Sequence, residues 1–308
     1  MANWAGFYRE NPHRFAIDYF GMTWMAWFQQ ILLVMICKFT YVMIIASRGM
    51  GKSMIVAAAI CVKCVLYPGL QVVIAAGNRS QSINVLKKII DEYLPASTNL
   101  ENEIAEYKTA PSDAYIKFKN GSQVRVVTAR DSARSARAHW VITDEFVQVK
   151  KEIIDKVIRK FKAGERTPGF FTNYKSKYKN YPKERNTETY ISSAYYKWHW
   201  SWAKFKAYFK SMVKGENYAV CGFPYQLPVS AGYYSQEQVR EEMQEDDFSE
   251  IAWSMEINYS LPCIVRYMKN NPLNCWKPLK VTEPQRRDER CSIAMVTKVE
   301  KICYMAQG

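Results

Sequence analysis

The chain has 308 residues, 48% of them hydrophobic, and is long enough to bury a large core in one large or two ordinary domains. Its formal net charge of +14 indicates a polyanionic partner, nucleic acid before membrane. Residues 1–10 are polar and aromatic, unlike a secretory signal, and the most apolar stretch, 31–46, is interrupted by Lys38 and Thr40. These features argue against a membrane protein.

In chain order, a helix is predicted over residues 14–38, a buried strand over Val42–Ala46 and a helix over Met54–Leu66. The turn between this strand and helix matches the phosphate-binding pattern G-x-x-x-x-G-K-[ST], except that Ala46 replaces the first glycine. A turn of this kind offers backbone N–H groups, a lysine and a hydroxyl to nucleotide phosphates and Mg²⁺. The candidate nucleotide-binding residues are Ser47, Arg48, Gly49, Met50, Gly51, Lys52 and Ser53. The alternative is an ordinary strand-to-helix turn.

Eight cysteines are scattered along the chain, with a single C-x-x-C at Cys61 and Cys64 inside the predicted helix. Without a second pair, we interpret these two as helix packing in a reducing cytoplasm, the alternative being a zinc site.

The strand-then-helix pattern repeats at Val72–Ala76 and Ser80–Tyr93. Residues 114–129 alternate apolar and polar side chains about Asn120 and Gly121, which predicts a hairpin, and "HWVITDEF" predicts another buried strand. This alternation indicates an α/β fold with a largely parallel sheet flanked by helices, to which the hairpin adds antiparallel strands. Ligands of such folds bind at the carboxyl ends of the strands.

Two adjacent acids end the "WVITDEF" strand. Asp144 is predicted to hold Mg²⁺ and Glu145 to activate water, the alternative being a solvated strand end. Arg48 is a candidate for neutralising charge at the γ-phosphate. Arginines 130, 134 and 137 are candidates for reaching a neighbouring subunit's nucleotide, with Arg134 favoured; the alternative for each is a surface arginine.

The stretch Lys156–Lys214 carries 15 basic residues against three acidic ones, with aromatic residues throughout. It predicts a surface that faces DNA, the alternative being a solvated basic face. Residues 215–232 are rich in turn-forming residues, and 235–256 predict an acidic helix followed by a short strand. Periodicity is lost after residue 258.

Five stretches in the same order resemble the large terminase subunit of tailed bacteriophages, the ATPase that pumps DNA into a procapsid. They are "WFQQILL", "IASRGMGKS", "VVIAAGNRSQ", "WVITDEF" and "ISSAYYKWHW". In that family the loop often reads S-R-x-x-G-K-[ST], which accounts for Ala46 and Arg48. The resemblance implies a RecA-like (ASCE) P-loop fold with a small lid subdomain.

The resemblance also implies roles for individual residues. Phe28 and Gln29 would contact adenine, while Lys52 and Ser53 would hold phosphate and Mg²⁺. Asp144 and Glu145 match the metal-binding and catalytic acids. The coupling motif that links ATP hydrolysis to movement of the lid matches Ser192, Ser193 and Ala194.

We therefore expect a P-loop ATPase domain at 1–225, a lid or linker at 226–258 and a truncated or degenerate nuclease remnant at 259–308. A two-metal nuclease needs clustered carboxylates, and after residue 258 there are only four acids, Glu283, Asp288, Glu289 and Glu300. The resemblance implies ATP and Mg²⁺ as cofactors, and double-stranded DNA, a portal protein and a small terminase subunit as partners. It further implies a ring of identical subunits in the host cytoplasm.

The sequence thus favours a DNA-translocating ATPase of the packaging type, without a competent nuclease. One alternative is a helicase-like DNA-dependent ATPase. The other is a prophage remnant or DNA-binding protein that keeps the P-loop fold without turnover.

Overall fold

The structure is a computed structural model that describes residues 2–47, 49–77, 79–110, 113–128, 138–156, 166, 184–193, 195, 199–233 and 235–242. The proposed remnant at 259–308 and most of the basic stretch between 156 and 184 lie outside these ranges.

Three helices precede the first strand: α1 (Ala2–Glu10), α2 (Pro12–Asp18) and α3 (Trp27–Lys38). The single helix predicted over 14–38 is therefore wrong between α2 and α3. Gly21 lies there with φ of 73°, a conformation that favours glycine and does not continue a helix. α3 begins where the Gln29 side chain accepts a 3.0 Å hydrogen bond from the Ala26 backbone N–H.

The predicted strand, loop and helix around the phosphate-binding pattern are confirmed as β1 (Tyr41–Ala46) and α4 (Lys52–Leu66). Gly49 and Gly51 in the connecting loop have φ of 78° and 71°. α4 buries almost its whole length, including Cys61 and Cys64, whose burial agrees with a role in helix packing.

The second strand and helix are β2 (Gln71–Ala76) and α5 (Arg79–Lys87). The helix predicted to run to Tyr93 changes its hydrogen-bonding pattern and becomes a π-helix at Lys88–Tyr93. Short helices α6 (Leu94–Ala96) and α7 (Thr98–Glu103) follow. β4 (Asp113–Phe118) and β5 (Gln123–Thr128) confirm the hairpin, and β3 (Ile104–Ala110), which the sequence did not predict, pairs antiparallel with β4.

The remaining described elements are β6 (Trp140–Asp144), a 3-10 turn (Phe146–Gln148), α8 (Lys151–Lys156), β7 (Thr187–Ser192), α9 (Trp200–Val213), β8 (Tyr218–Phe223), α10 (Gln226–Ser230) and α11 (Gln236–Glu242). The prediction of turns over 215–232 is wrong at β8, which is short and mostly buried. α11 confirms the start of the predicted acidic helix, whose continuation lies outside the described residues.

The eight strands form one sheet in the order β3-β4-β5-β2-β6-β7-β1-β8. Neighbouring strands from β5 to β8 in this order are parallel, whereas β4 pairs antiparallel with both β3 and β5. β7 lies between β1, which leads into the phosphate-binding loop, and β6, which ends in the acids. Helices cover both faces: α3, α4 and α5 pack on one, and α8 and α9 on the other. The expected largely parallel α/β sheet is thereby confirmed.

Candidate nucleotide-binding site

Parallel register brings the carboxyl ends of β1, β7 and β6 together. Ile45 of β1 lies opposite Ser192 of β7, and Ile191 of β7 lies opposite Asp144 of β6. Since parallel strands end at the same edge of the sheet, the loop after Ala46 meets the acids and serines there. The structure thus collects at one edge the residues that the sequence placed on three separate strands.

The loop after β1 is held from outside by Gln29. Its side-chain amide donates a 3.2 Å hydrogen bond to the Met50 carbonyl, and its other end accepts the Ala26 N–H. A Cβ atom at Gly51 would lie 2.8 Å from Gln29 Nε2, so any other residue there would displace this amide. Together with the positive φ of Gly51, this close approach fixes the loop backbone at the start of α4.

Lys52 occupies the first turn of α4, and its ammonium group lies inside the loop. It donates hydrogen bonds to the carbonyls of Ala46 at 3.0 Å and Ser47 at 3.3 Å, and to Ser193 Oγ at 3.0 Å. These contacts place a positive charge between the phosphate-binding loop and the residue that follows β7. A cation at this point is suited to the β and γ oxygens of a nucleoside triphosphate.

Asp144 and Glu145 present two carboxyl groups at the end of β6. Asp144 is buried, and burial followed by the neighbouring Glu145 charge raises the pKa of Asp144 to about 6. The Glu145 N–H, which donates to Asp144 Oδ1 at 3.0 Å, and the charge of Lys52 act in the opposite direction. Two adjacent acids at a buried strand end repel each other, and a cation relieves this repulsion.

Glu145 has a left-handed backbone, with φ of 44° and ψ of 48°, and is the one non-glycine residue with positive φ in the described part of the chain. Such a conformation costs free energy in a residue with a Cβ and is concentrated at functional sites. This backbone conformation turns the chain sharply at the end of β6, at the residue that carries the second carboxylate. Ser192 Oγ donates a 2.7 Å hydrogen bond to Glu145 Oε2, and the Ser192 side chain is fully buried.

The residues proposed to contact adenine lie beside the loop. Gln29 is buried with both ends of its amide engaged, and Tyr233 OH lies 3.4 Å from its Oε1. Phe28 is fully buried and packs edge-on against the Tyr233 ring, with 6.3 Å between ring centroids. Tyr233 itself is exposed and its OH donates to the Trp24 carbonyl at 3.0 Å.

Two tyrosines near the loop were missed by sequence reasoning. Tyr93 donates a 2.8 Å hydrogen bond to the Met54 carbonyl in the first turns of α4 and stacks on Trp24, with 5.9 Å between centroids. Tyr233 reaches Gln29 from 204 residues away in sequence. Neither tyrosine lies in a local motif, because both contacts join segments distant in the chain. The π-helix that ends at Tyr93 is the structural feature that marks the first of them.

Several predicted site residues lie outside the described residues. They are Arg48, Arg130, Arg134, Arg137 and Ala194.

The donor set suits Mg²⁺. The Ser53 hydroxyl in the first turn of α4 and the Asp144 carboxylate are hard oxygen ligands, which Mg²⁺ uses together with phosphate oxygens and water. Burial and the neighbouring Glu145 charge, which raise the pKa of Asp144, disfavour an isolated negative charge there, and a bound cation would favour it. In the described part of the chain, no three His, Cys, Asp or Glu side chains group together as a metal site. The described helices include none long and apolar enough to cross a membrane.

Comparison with known proteins gives the fold. A family model described as the helicase domain of RNA cytidine acetyltransferase NAT10/TcmA matches residues 43–164, which run from β1 past the acids of β6. The curated proteins include no significant match. The large terminase ATPase domain of Thermus phage P74-26 is similar with a TM-score of 0.53 at 12% identity, covering 79% of this chain and 96% of that one.

The large terminase of a second, thermophilic bacteriophage is similar with a TM-score of 0.52 at 11% identity, covering 74% of this chain and 52% of that one. This chain therefore matches about half the length of that terminase. The chain has the α/β fold of phage large-terminase ATPase domains, a mostly parallel sheet flanked by helices.

Proposed function

We propose that the protein is an ATP-hydrolysing motor subunit that translocates double-stranded viral DNA into a procapsid. The observation that carries the proposal is the pair of contacts made by two consecutive serines, one that ends β7 and one that follows it. Ser192 binds Glu145, and Ser193 binds Lys52. One strand end therefore touches both the group suited to activate water and the group suited to hold phosphate.

The chemistry follows from these positions. The Lys52 ammonium neutralises charge on the β and γ oxygens of ATP, and the loop N–H groups at the start of α4 orient the phosphates. Glu145 orients a water and accepts its proton, with Ser192 fixing the direction of the carboxylate. Ser53 and Asp144 would hold Mg²⁺, which would supply further charge neutralisation at the phosphates. Arg48 and Arg134 are proposed to stabilise the transition state.

In this mechanism Lys52 contacts the γ-phosphate and also donates a hydrogen bond to Ser193. Loss of the γ-phosphate therefore changes the surroundings of the lysine that Ser193 contacts. The residues Ser192, Ser193 and Ala194 are therefore proposed to transmit hydrolysis from the site to the chain that follows β7. In this proposal residues 1–225 form the ATPase domain, 226–258 a lid or linker and 259–308 a nuclease remnant without cleavage activity. A ring of such subunits, bound to a portal protein and a small terminase subunit in the host cytoplasm, would pass duplex DNA.

Steady-state ATP hydrolysis with and without duplex DNA tests the proposal. We expect Mg²⁺-dependent turnover that duplex DNA stimulates and that Lys52→Ala removes. Turnover absent under every condition would leave a DNA-binding protein that keeps the P-loop fold. The two solved structures described above are phage large terminases, which supports a duplex substrate for this chain.

A helicase-like ATPase is the second candidate, because the matched family model is a helicase domain. Single-stranded DNA and RNA separate the two. Stimulation by single strands in preference to duplex, with strand separation of a partial duplex, would favour the helicase over the packaging motor.

A further inference from the structure

Helix α9 has two different faces. Its apolar face, with Phe205, Tyr208 and Phe209, is buried against the sheet. Its exposed face consists only of lysines and alanines: Ala203, Lys206, Ala207 and Lys210, followed by Lys214 at the helix end. We call this set the α9 lysine face. Because a helix rises 1.5 Å per residue, its lysines recur about every 6 Å.

The three lysines of this face make no ion pair with any residue that the structure describes. Lysines elsewhere do make ion pairs, for example Lys88 with Glu92 and Lys151 with Asp155. Like charges at i and i+4 destabilise a helix, and α9 contains no acidic residue to offset them. The sequence therefore maintains an unfavourable row of positive charge, which an anionic partner would offset.

Neither the helix dipole nor a membrane surface accounts for the whole row. The dipole favours cations in the last turn, which fits Lys210 and Lys214 but leaves Lys206, one turn earlier, unexplained. A helix that lies on a membrane inserts large apolar side chains, whereas those of α9 are occupied by the sheet. The alanines between the lysines leave a flat surface, which allows close approach of a rigid polyanion.

α9 is also attached to the strand that carries the serines. Tyr208 of α9 and Tyr190 of β7 both donate hydrogen bonds to Glu188 Oε2, at 3.1 Å and 3.0 Å. The Lys204 ammonium lies over the Tyr190 ring, 4.1 Å from its centroid. Glu188 and Tyr190 lie in β7, which ends at Ser192. A ligand held by the outer face of α9 is thus connected through its inner face to the strand that contacts Glu145.

We propose that the α9 lysine face binds the phosphate backbone of duplex DNA. The choice of duplex DNA over other polyanions rests on the proposed packaging function, while the location rests on the exposure, spacing and charge of α9. Contacts of lysine to phosphate carry no base information, so binding is independent of sequence and falls with salt.

The test compares the triple variant Lys206→Ala/Lys210→Ala/Lys214→Ala with the wild type in binding a labelled duplex over a range of salt concentrations, without ATP. Alanine preserves helix propensity. Each lost phosphate contact reduces the slope of log affinity against log salt by about 0.9, so three lost contacts reduce it by about 2.7. The matched control is Lys87→Ala/Lys108→Ala/Lys119→Ala, which removes the same charge near the other end of the sheet.

We expect the α9 variant to lose both affinity and slope while the control variant stays near the wild type. Equal slopes for the α9 variant and the wild type, or equal losses in both variants, would overturn the proposal. If the triple variant fails to fold by circular dichroism, Lys206→Ala alone is expected to reduce the slope by about 0.9.

ATP hydrolysis with duplex DNA and binding to lipid vesicles distinguish an error in the α9 surface from an error in the proposed packaging function. If wild-type ATP hydrolysis is stimulated by duplex DNA but the α9 variant binds DNA normally, the motor function stands and the α9 surface is rejected. If the wild type binds no duplex, both are rejected. The last measurement is binding to anionic lipid vesicles. Binding to vesicles that depends on these lysines, without binding to duplex, would also reject a DNA surface.

Discussion

The buried hydroxyl of Ser192 donates a 2.7 Å hydrogen bond to the carboxylate of Glu145, a residue held in a left-handed backbone conformation. This contact joins the strand between the loop and the acids to the group proposed to activate water. We predict that Ser192→Ala lowers the kcat for ATP by roughly 10- to 100-fold, because small misplacement of a catalytic group costs this much, and leaves KM nearly unchanged.

The control for this prediction is Ser192→Thr, which keeps the hydroxyl and is expected to recover part of the rate. A loss of thermal stability with unchanged kcat would assign Ser192 a structural role only. An equal loss of rate in Ser192→Thr and Ser192→Ala would likewise argue against the hydrogen bond as the cause.

Lys52→Ala is predicted to lower ATP turnover by at least about 10²-fold, the effect of removing one preorganised charge from a transition-state site. The fold should persist, because the lysine bonds two loop carbonyls and one serine rather than the core. Steady-state hydrolysis and a melting curve measure the two effects. Retained turnover in a folded variant would remove Lys52 from the mechanism.

Glu145→Gln is predicted to bind ATP and to stall, because the amide keeps the shape and an acceptor for Ser192 but cannot take a proton. Binding of a fluorescent ATP analogue and single-turnover hydrolysis measure the two steps. Asp144→Asn is the comparison, expected to weaken Mg²⁺-dependent binding as well. Near wild-type hydrolysis by both variants would contradict the proposed roles of Asp144 in binding Mg²⁺ and of Glu145 in activating water.

Lys63 offers a prediction on stability and pH. It is buried, lies over the Trp140 ring at 4.1 Å and donates to Thr187 Oγ1 at 3.3 Å. Burial lowers the pKa of Lys63 from 10.5 to about 8, although the nearby Cys37, Cys64 and Glu184 act in the opposite direction and raise it. At about 1.4 kcal/mol per unit of pKa, keeping this charge buried at neutral pH costs the folded state ~3 kcal/mol.

Because the pKa of Lys63 is lower in the folded state, the unfolded chain binds more protons between about pH 8 and 10.5, so stability from this group rises with pH there. We predict that Lys63→Met stabilises the protein at pH 7 and that its advantage falls by about half near pH 9.5. Denaturant unfolding of both proteins at the two pH values measures this. An advantage that is constant with pH would show that packing, not charge burial, is its source.

The purified protein is predicted to leave plasmid DNA uncut with Mg²⁺ or Mn²⁺ while it hydrolyses ATP, because two-metal cleavage requires clustered carboxylates. Agarose gels of plasmid incubated with each metal provide the measurement. Cleavage that EDTA and substitution of Asp288 or Glu289 abolish would reveal a working nuclease site.

The sequence predicted the elements whose signal is local. β1, α4, β2 and the hairpin of β4 and β5 followed from apolar periodicity and from Asn120 and Gly121, and the structure confirms them within a few residues. β3 and β8 were missed. β3 has an exposed, largely polar face, and β8 is a short strand defined by pairing with β1 far away in sequence.

The candidate site likewise contains residues that local motifs predicted and contacts that no local motif could predict. Lys52, Asp144 and Glu145 lie in motifs and were named from sequence, and the structure brings them to one edge of the sheet. The bonds of Ser193 to Lys52 and of Tyr233 to Gln29 span 141 and 204 residues, so no local pattern carries them. The left-handed backbone of Glu145 also lacks a signal, since glutamate is unusual there and tertiary contacts impose the conformation.

The strand order has a consequence for how the protein is made. β1 is the first strand to emerge from the ribosome, yet its two partners are β7 and β8, and the 140 residues 47–186 separate it from β7. Ser47, the first residue of the phosphate-binding loop, also bonds Phe223 at the end of β8. Contacts this distant in sequence form slowly because a long loop must close first. A nascent chain therefore cannot form the bond between Ser47 and Phe223 until translation has passed β8, so the loop after β1 reaches its final conformation only in chains synthesised beyond that point.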